Sequence, residues 1–248
     1  NIGSPAKVRR VADAARGAGI PIRIGVNAGS LEKGILERHR HPTATALFES
    51  AKHNLRLMES FGFEDVVVSI KASDVCATVE ACTMLAHECD YPQHIGITEA
   101  GTPSTGTIRS SVGLGALLAR GIGDTIRVSL AGDPLNEVRV GREILKSLKL
   151  ATGPTVIACP TCGRTQIDVA GLAERVEQMV GGLDTPITIA VMGCVVNGPG
   201  EAREADIGVA GGRGEGQIFK RGTPIERVPE SQLLERLWHH IREISDGR

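Results

Sequence analysis

The feature that most constrains the fold is an alternation of short, continuously apolar segments with longer segments of helical periodicity. The apolar segments are predicted to be strands at Ile20–Val26, Asp65–Lys71, His94–Thr98 and Thr125–Leu130. The helices predicted to follow them are Thr43–Phe61, Val75–Cys89, Ile108–Arg120 and Leu135–Leu148. Continuous apolar strands separated by helices are typical of a parallel sheet that helices cover on both faces. The sequence therefore predicts an α/β fold.

The spacing of these units favours a barrel. One strand and its helix take about 30 residues, the size of a unit in an eight-unit TIM-type βα barrel. Four complete units follow an opening helix, Pro5–Gly17, which has Ser4 as its N-cap. We therefore expect residues 1–150 to be the C-terminal half of a barrel whose first units, about 100 residues, precede Asn1 in the complete protein. A doubly wound open sheet is the alternative, because it needs no further units.

A second, smaller α/β domain is expected over residues 151–248, after a linker at residues 151–154. Its predicted elements alternate less regularly than those before it. They are the strands Thr155–Ala158, Ile187–Met192 and Asp206–Ala210, the helices Val169–Val180 and Ser231–Ile244, and a hairpin around Gly211–Gly216.

Composition excludes several functional classes. Lys and Arg total 28 against 29 Asp and Glu, which argues against a nucleic-acid or anionic-membrane partner. Aromatic residues make up only 2%, too few for a carbohydrate-binding sheet. There is no apolar run long enough to span a bilayer and no secretion signal, so the six cysteines are expected in the reducing cytoplasm. Clustered thiols in that compartment more often hold metal than form disulfides.

Cysteines in the second domain predict a metal centre. Cys159-Pro160-Thr161-Cys162 places two thiols on one tight turn, and Cys194 follows the predicted strand Ile187–Met192. The loop after Cys194 is rich in Gly and Pro, which lets Asn197 or Glu201 supply an oxygen ligand. Three thiolates and one oxygen donor suit an iron–sulfur cluster with one atypical iron.

Two other interpretations of these cysteines stay open at this point. A zinc knuckle prefers four N or S ligands, and here it would have to recruit His239 or His240 from the last helix. A redox disulfide between Cys159 and Cys162 would leave Cys194 without a role. The remaining thiols, Cys76, Cys82 and Cys89, share one helical segment and are predicted to pack in the core.

Polar residues in or after the barrel strands predict an anion site. In a βα barrel, function lies at the C-terminal ends of the strands. The residues found there are Arg23, Asn27, Lys71, Glu99, Arg127 and Ser129. Three cations at one mouth suit a phosphate or diphosphate, although Lys71 and Arg127 could instead pair with Glu99. A dinucleotide site is disfavoured, because Gly113-x-Gly115 lacks the third glycine of that fingerprint.

Six segments of the chain, in order, resemble the bacterial 4-hydroxy-3-methylbut-2-enyl diphosphate synthases, iron–sulfur enzymes of the methylerythritol phosphate route to isoprenoids. The two cysteine motifs together are highly specific, and the similarity covers essentially the whole chain. The segments are Ile22–Ser30, Ser69–Asp74, Gly96–Gly101, Ile126–Leu130, Cys159–Cys162 and Gly193–Glu201.

The resemblance implies a function and a cofactor. Family members convert 2-C-methyl-D-erythritol 2,4-cyclodiphosphate to 4-hydroxy-3-methylbut-2-enyl diphosphate by two-electron reductive ring opening and dehydration, with ferredoxin or flavodoxin as electron donor. A barrel is followed by a ferredoxin–sulfite-reductase-like domain with a [4Fe-4S] cluster. Members are typically homodimers, and their barrel strands upstream of the position of Asn1 add further diphosphate contacts.

The resemblance also implies roles for individual residues. The cluster ligands match Cys159, Cys162, Cys194 and Glu201, and Glu201 holds the reactive iron. The diphosphate ligands match Arg23, Asn27, Lys71, Arg127 and Ser129. Glu99 matches a catalytic glutamate near the reacting carbons, and Asn197 matches a substrate-facing asparagine beside the cluster. The rival hypotheses are a zinc-knuckle scaffold protein and a three-cysteine iron–sulfur hydro-lyase, which needs no electron donor.

Overall fold

The computed structural model describes residues 3–247. The chain divides into two compact units, the first ending at Leu148 and the second beginning at Lys149. No helix in this range is both long and apolar enough to cross a membrane.

The first unit alternates helices and strands after an opening helix. Its elements are α1 (Pro5–Ala18), β1 (Ile22–Asn27), α2 (Lys33–His39), α3 (Ala44–Ser60), β2 (Val66–Lys71), α4 (Val75–Glu88), β3 (His94–Gly96), α5 (Pro103–Leu118), β4 (Thr125–Arg127) and α6 (Pro134–Ser147).

The four strands of this unit run parallel in chain order. β1 pairs with β2 and β3 pairs with β4, and a parallel bridge from Val68 to Gln93 joins the two pairs. Side chains alternate between the two faces of a strand. In β2, Val66, Val68 and Ile70 belong to the apolar core that also takes in residues of α1, α3, α4, α5 and α6. Ser69 and Lys71 therefore lie on the opposite face.

Capping explains where several helices begin. Thr43 accepts the Ala46 N–H and Asp74 accepts the Ala77 N–H, so α3 starts one residue after the predicted Thr43 and α4 starts at Val75, as predicted. The predicted start of α5 at Ile108 is wrong, because the helix begins at Pro103. Pro is well suited to a first turn, and the small polar residues that follow it obscure the helical periodicity. The short helix α2 was not predicted.

The second unit is a five-stranded sheet with helices. Its elements are β5 (Thr155–Ala158), α7 (Val169–Val180), β6 (Thr188–Met192), α8 (Gly198–Glu201), β7 (Ile207–Gly211), β8 (Glu215–Lys220), β9 (Thr223–Pro229) and α9 (Leu233–Asp246). The strands lie in chain order, β5 to β7 parallel and β8 and β9 antiparallel. The predicted hairpin is present as the β7–β8 turn, whereas β9 and α8 were not predicted.

The two faces of this sheet pack differently. Ile189 and Val191 point into a large apolar cluster that includes residues of α7 and α9. Their neighbours Ala190 and Met192 point into a smaller cluster with Ala202, Ala205, Ala210 and Phe219. A Cβ on Gly198 would lie 2.7 Å from the Met192 Cβ, so glycine is what lets α8 pack this closely on the strand.

Candidate functional site

A cluster of cations lies on the strand face opposite the helices of the first unit. The register pairs Asn27 with Lys71 on β1 and β2, and Gly96 with Arg127 on β3 and β4. Arg23 lies on the same face of β1 as Asn27, because the two are four residues apart in one strand. Parallel pairing thus gathers residues that are far apart in the sequence.

Lys71 is the electrostatic centre of this cluster. Its side chain is only 4% exposed. Burial first, and then the nearby charges of Arg127 and Arg23, together lower the pKa of Lys71 to about 8. Within residues 3–247 no carboxylate forms an ion pair with any of these three cations. A buried ammonium between two guanidinium groups is costly unless an anionic ligand joins it.

Glu99 does not neutralise the cations, so the alternative pairing of Lys71 and Arg127 with Glu99 is wrong for the described chain. Glu99 is exposed in the turn between β3 and α5, and its φ of 52° lies in the left-handed region. Such backbone is uncommon for a residue with a side chain and clusters at functional sites. The position of the preceding Thr98 is fixed by two hydrogen bonds, because its N–H donates to the Ala72 carbonyl and its hydroxyl accepts from the Arg127 guanidinium.

The remaining predicted anion ligands lie at the same strand ends. Asn27 is the last residue of β1 and is exposed, while Ser129 is half-buried two residues after β4. The loops above them are connected, since the Ala131 N–H donates to the Gly101 carbonyl at 2.9 Å.

His94 belongs to this cluster and was not predicted as a site residue. It opens β3, with its Nδ1 2.8 Å from the Thr125 Oγ1 on β4. Its Nε2 is buried and has no hydrogen-bond partner among the described residues. Little in the sequence indicated that His94 belongs to the site, because β3 is only three residues long and His94 opens it rather than following it.

The absence of a side chain at Gly96 lets the backbone of Arg127 lie close to β3, so a side chain at this position should destabilise the fold. A Cβ at residue 96 would lie 2.5 Å from the Arg127 carbonyl oxygen, and backbone cannot yield as a side chain can. We expect Gly96→Ala to lower the free energy of unfolding by about 1–3 kcal/mol, measured by urea denaturation. The matched control is Gly25→Ala. Gly25 lies on β1, on the face that carries Arg23, and a Cβ there meets no atom within 4 Å. Equal stability of the two variants would contradict the prediction.

In the second unit, two neighbouring parallel strands bring cysteines together. β5 ends directly before Cys159, and β6 ends two residues before Cys194. Because Ala158 pairs with Val191, the two strand ends lie side by side. The Gly193 N–H accordingly donates to the Cys159 Sγ at 3.1 Å.

The turn that carries Cys162 is held by Thr165. The Thr165 hydroxyl accepts the Cys162 N–H at 3.1 Å, and the Thr165 N–H donates to the Cys162 carbonyl. A Cβ on Gly193 would lie 2.9 Å from the Thr165 Oγ1, so this turn packs directly on the loop that carries Cys194. Hydrogen bonding by the Arg164 backbone N–H lowers the pKa of Cys162, and the Arg164 side chain adds to this. A thiolate is the form that binds metal.

The predicted oxygen donors follow Cys194. Asn197 precedes α8 and its Nδ2 donates to the Glu201 Oε1 at 3.4 Å, while the Glu201 carboxylate is exposed. Over the described part of the chain, no three His, Cys, Asp or Glu side chains are grouped closely enough to hold one metal ion. Three free thiols at two adjacent strand ends, with a carboxylate in the segment after Cys194, nevertheless fit an iron–sulfur cluster, because each thiolate there binds a different iron. They fit a single zinc ion less well.

The other cysteines are only partly as predicted. Core packing is confirmed for Cys82, which is fully buried and whose pKa burial raises to about 12. Cys89 is half-buried, and burial raises its pKa too. Cys76 is exposed, so core packing is wrong for it. His240 contacts Glu226 and Glu243, which occupies both of its ring nitrogens.

Parallel βα units with an inward cation cluster, followed by an α/β unit with three thiols at one sheet end, define a barrel-type protein with an anion site and a thiolate metal site. The chain belongs to the GcpE family. Residues 1–142 match the GcpE TIM-barrel domain and residues 155–243 match the GcpE protein C-terminal domain. The family predicted from the motifs and the TIM-barrel class of the first unit are thereby confirmed, and the doubly wound alternative is disfavoured.

Curated relatives are similar over nearly the whole chain. The protein of Geobacter sulfurreducens is 57% identical over 245 residues, which are 98% of this chain and 69% of that protein. Those of Geobacillus thermodenitrificans and Geobacillus kaustophilus are 53% and 54% identical over 247 residues, 99% of this chain and 66% of each relative. All three are named 4-hydroxy-3-methylbut-2-en-1-yl diphosphate synthase (flavodoxin). The chain spans about two thirds of their length.

Proposed function

We propose that this chain carries the diphosphate site and the cluster site of a 4-hydroxy-3-methylbut-2-en-1-yl diphosphate synthase. The observation that carries the proposal is the buried Lys71 between Arg23 and Arg127, with no carboxylate paired to any of them within residues 3–247. The names of the relatives support the same activity and a flavodoxin as electron donor. Ferredoxin, a carrier of similar potential, is the alternative donor.

The cation cluster would bind the cyclic diphosphate of methylerythritol. Arg23 and Arg127 offer planar donors for bidentate contacts, and Lys71 offers a point charge on β2, next to β1. Asn27 and Ser129 add neutral hydrogen bonds at the strand ends. In the reaction the ring C–O bond breaks and its oxygen stays on the phosphate, so the cations would stabilise the new negative charge.

The second unit would hold a [4Fe-4S] cluster through Cys159, Cys162, Cys194 and Glu201. When bound, such a cluster supplies single electrons at low potential, which no side chain provides. A carboxylate leaves iron more readily than a thiolate, so Glu201 is the ligand suited to make room for substrate. Asn197 donates to Glu201 in the structure, and we propose that it orients this carboxylate and faces the substrate.

Glu99 is proposed to handle the proton when the substrate hydroxyl leaves as water. Its carboxylate is exposed at the ends of the strands and has no hydrogen bond to other described residues, so it is free to act on a ligand. Two electrons enter, one C–O bond of the ring breaks and one hydroxyl departs with a proton. We also expect a homodimer, as in the family, which sedimentation velocity would test.

The test is turnover of 2-C-methyl-D-erythritol 2,4-cyclodiphosphate by the anaerobically purified full-length protein with reduced flavodoxin. The product expected is 4-hydroxy-3-methylbut-2-enyl diphosphate, formed only when the reductant is present. Turnover without reductant would support a hydro-lyase instead. Stoichiometric zinc, no sulfide and no turnover would support the scaffold hypothesis.

In the same assay, Glu99→Gln is expected to lower turnover at least about 100-fold, because the amide cannot donate or accept the proton. Binding of the substrate should change little, since the amide has nearly the same size as the carboxylate. The matched control is Glu37→Gln on α2, an exposed glutamate of the same unit, which should turn over at the original rate. Full turnover by Glu99→Gln would show that Glu99 has no role in proton transfer.

A further inference from the structure

The Nε2 atom of His94 is held in a fixed position without a partner. The contact between Nδ1 and the Thr125 hydroxyl orients the ring between β3 and β4. Nε2 itself is buried, and no acceptor or donor among residues 3–247 reaches it. Native proteins rarely leave a buried polar atom unsatisfied, and the exceptions often mark a place where a ligand binds.

The charged groups that lower the pKa of His94 are all cationic. Burial and the charges of Lys71 on β2, Arg23 on β1 and Arg127 on β4 lower the pKa of His94 to about 4. The nearby Asp124 carboxylate is engaged by the Gln93 N–H at 2.7 Å. The ring is therefore neutral at neutral pH, beside three unneutralised positive charges.

The contact with Thr125 allows two neutral tautomers. If the hydroxyl donates to Nδ1, the ring proton sits on Nε2, which is then a donor without an acceptor. If Nδ1 donates to the hydroxyl, Nε2 presents a lone pair. Only the first tautomer, or the doubly protonated ring, can hydrogen-bond an anion.

We propose that His94 is a further ligand-binding residue of the anion site, which donates from Nε2 to a phosphate oxygen and, at mildly acidic pH, takes up a proton from solvent when a polyanion binds. The bound anion offsets the three cations, so the positive ring is no longer disfavoured. In that form Nδ1–H donates to the Thr125 hydroxyl and Nε2–H donates to the ligand. The proposal rests on the proposed diphosphate site and adds a proton-linked member to it.

The matched variants are His94→Gln and the unchanged protein, titrated with inorganic pyrophosphate between pH 5 and pH 8. The glutamine amide can reach the position of Nε2 and donate, but it cannot take up a proton. We expect the variant to bind a few-fold more weakly at pH 8 and about tenfold more weakly again at pH 5, if binding raises the pKa of His94 by about two units. The ionisation of pyrophosphate and of Lys71 is common to both proteins and cancels in the ratio.

The pKa of His94 can be measured directly from the NMR signal of its Cε1–H. This signal is identified by its loss in His94→Gln. If that variant does not fold, His94→Asn serves for the assignment, because its amide can keep the contact with Thr125. The midpoint of titration should lie near pH 4 in the free chain, and it should rise by at least about one unit with pyrophosphate. His87→Gln, an exposed residue of α4, is the control and should bind pyrophosphate as the unchanged protein does.

Two results would overturn the proposal. Only one of them would also contradict the proposed diphosphate site. If pyrophosphate binds but the His94 midpoint does not move, His94 takes no part and the proposed diphosphate site stands. If pyrophosphate does not bind at all, the proposed diphosphate site and the role of His94 are both wrong.

Discussion

Replacing Cys194 with serine is expected to remove the iron and sulfide that the anaerobically purified chain carries. The unchanged protein should contain about four irons and four sulfides, and the variant less than a tenth of that. The physical reason is that Cys159 and Cys162 share one turn, so Cys194 is the thiol that must supply the third ligand from the neighbouring strand. A serine hydroxyl does not ionise at neutral pH and binds iron poorly.

The control for this prediction is Cys76→Ser, which changes an exposed thiol on α4 in the first unit. Its iron and sulfide content should equal that of the unchanged protein, and so should the EPR spectrum after reduction. Glu201→Ala is the complementary variant, because it keeps all three thiols. We expect it to retain a cluster that is lost more readily in air. Unchanged iron content in Cys194→Ser would contradict the proposed ligand set.

Replacing Lys71 with methionine is expected to stabilise the fold and to weaken binding of a diphosphate strongly. The pKa of Lys71 is about 8 in the folded chain against 10.5 as the ordinary value. The charged form is therefore disfavoured in the folded state, and at pH 7 it costs about 2 kcal/mol once screening by nearby water is allowed for. Methionine removes this cost and keeps the apolar stem.

The stability gained by Lys71→Met should depend on pH, because Lys71 has a lower pKa in the folded chain. Between about pH 8 and pH 10.5 the unfolded chain binds more protons at residue 71 than the folded chain does, so stability of the unchanged protein rises with pH. The advantage of Lys71→Met should therefore be full at pH 7 and vanish by about pH 10.5. Urea denaturation at these two pH values measures it. Lys33→Met, at an exposed position of α2, is the control and should differ little at either pH.

Binding changes in the opposite direction. Loss of the central charge should weaken binding of pyrophosphate by roughly 100-fold at pH 7, as expected for one buried charge-assisted contact of about 3 kcal/mol. A residue that destabilises the fold while serving the ligand is common at functional sites. A destabilised Lys71→Met variant that binds normally would show that the lysine is structural.

Elements with strong local signals could be predicted from the sequence. β2 was predicted within one residue, because Val66 to Ile70 is almost uniformly apolar and β-branched. α4 was predicted at Val75–Cys89 and is observed at Val75–Glu88, with Asp74 capping its start. The start of α5, the short α8 and the strand β9 were not, because their polar, Gly-rich or Pro-containing segments show little periodicity and form through packing on neighbouring strands.

The two parts of the candidate site also differ in how far the sequence predicts them. Cys159 and Cys162 are close in the chain, so their spacing, taken together with Cys194, made a metal centre the best hypothesis from the sequence. Arg23, Lys71 and Arg127 could be named from the sequence as residues of strand ends. Only the register of four parallel strands decided that they share one face, that Glu99 does not neutralise them, and that His94 lies beside them with Nε2 unpartnered. Local sequence dictates which groups are present, whereas pairing between distant strands decides which charges meet, because electrostatic interaction depends on distance in space.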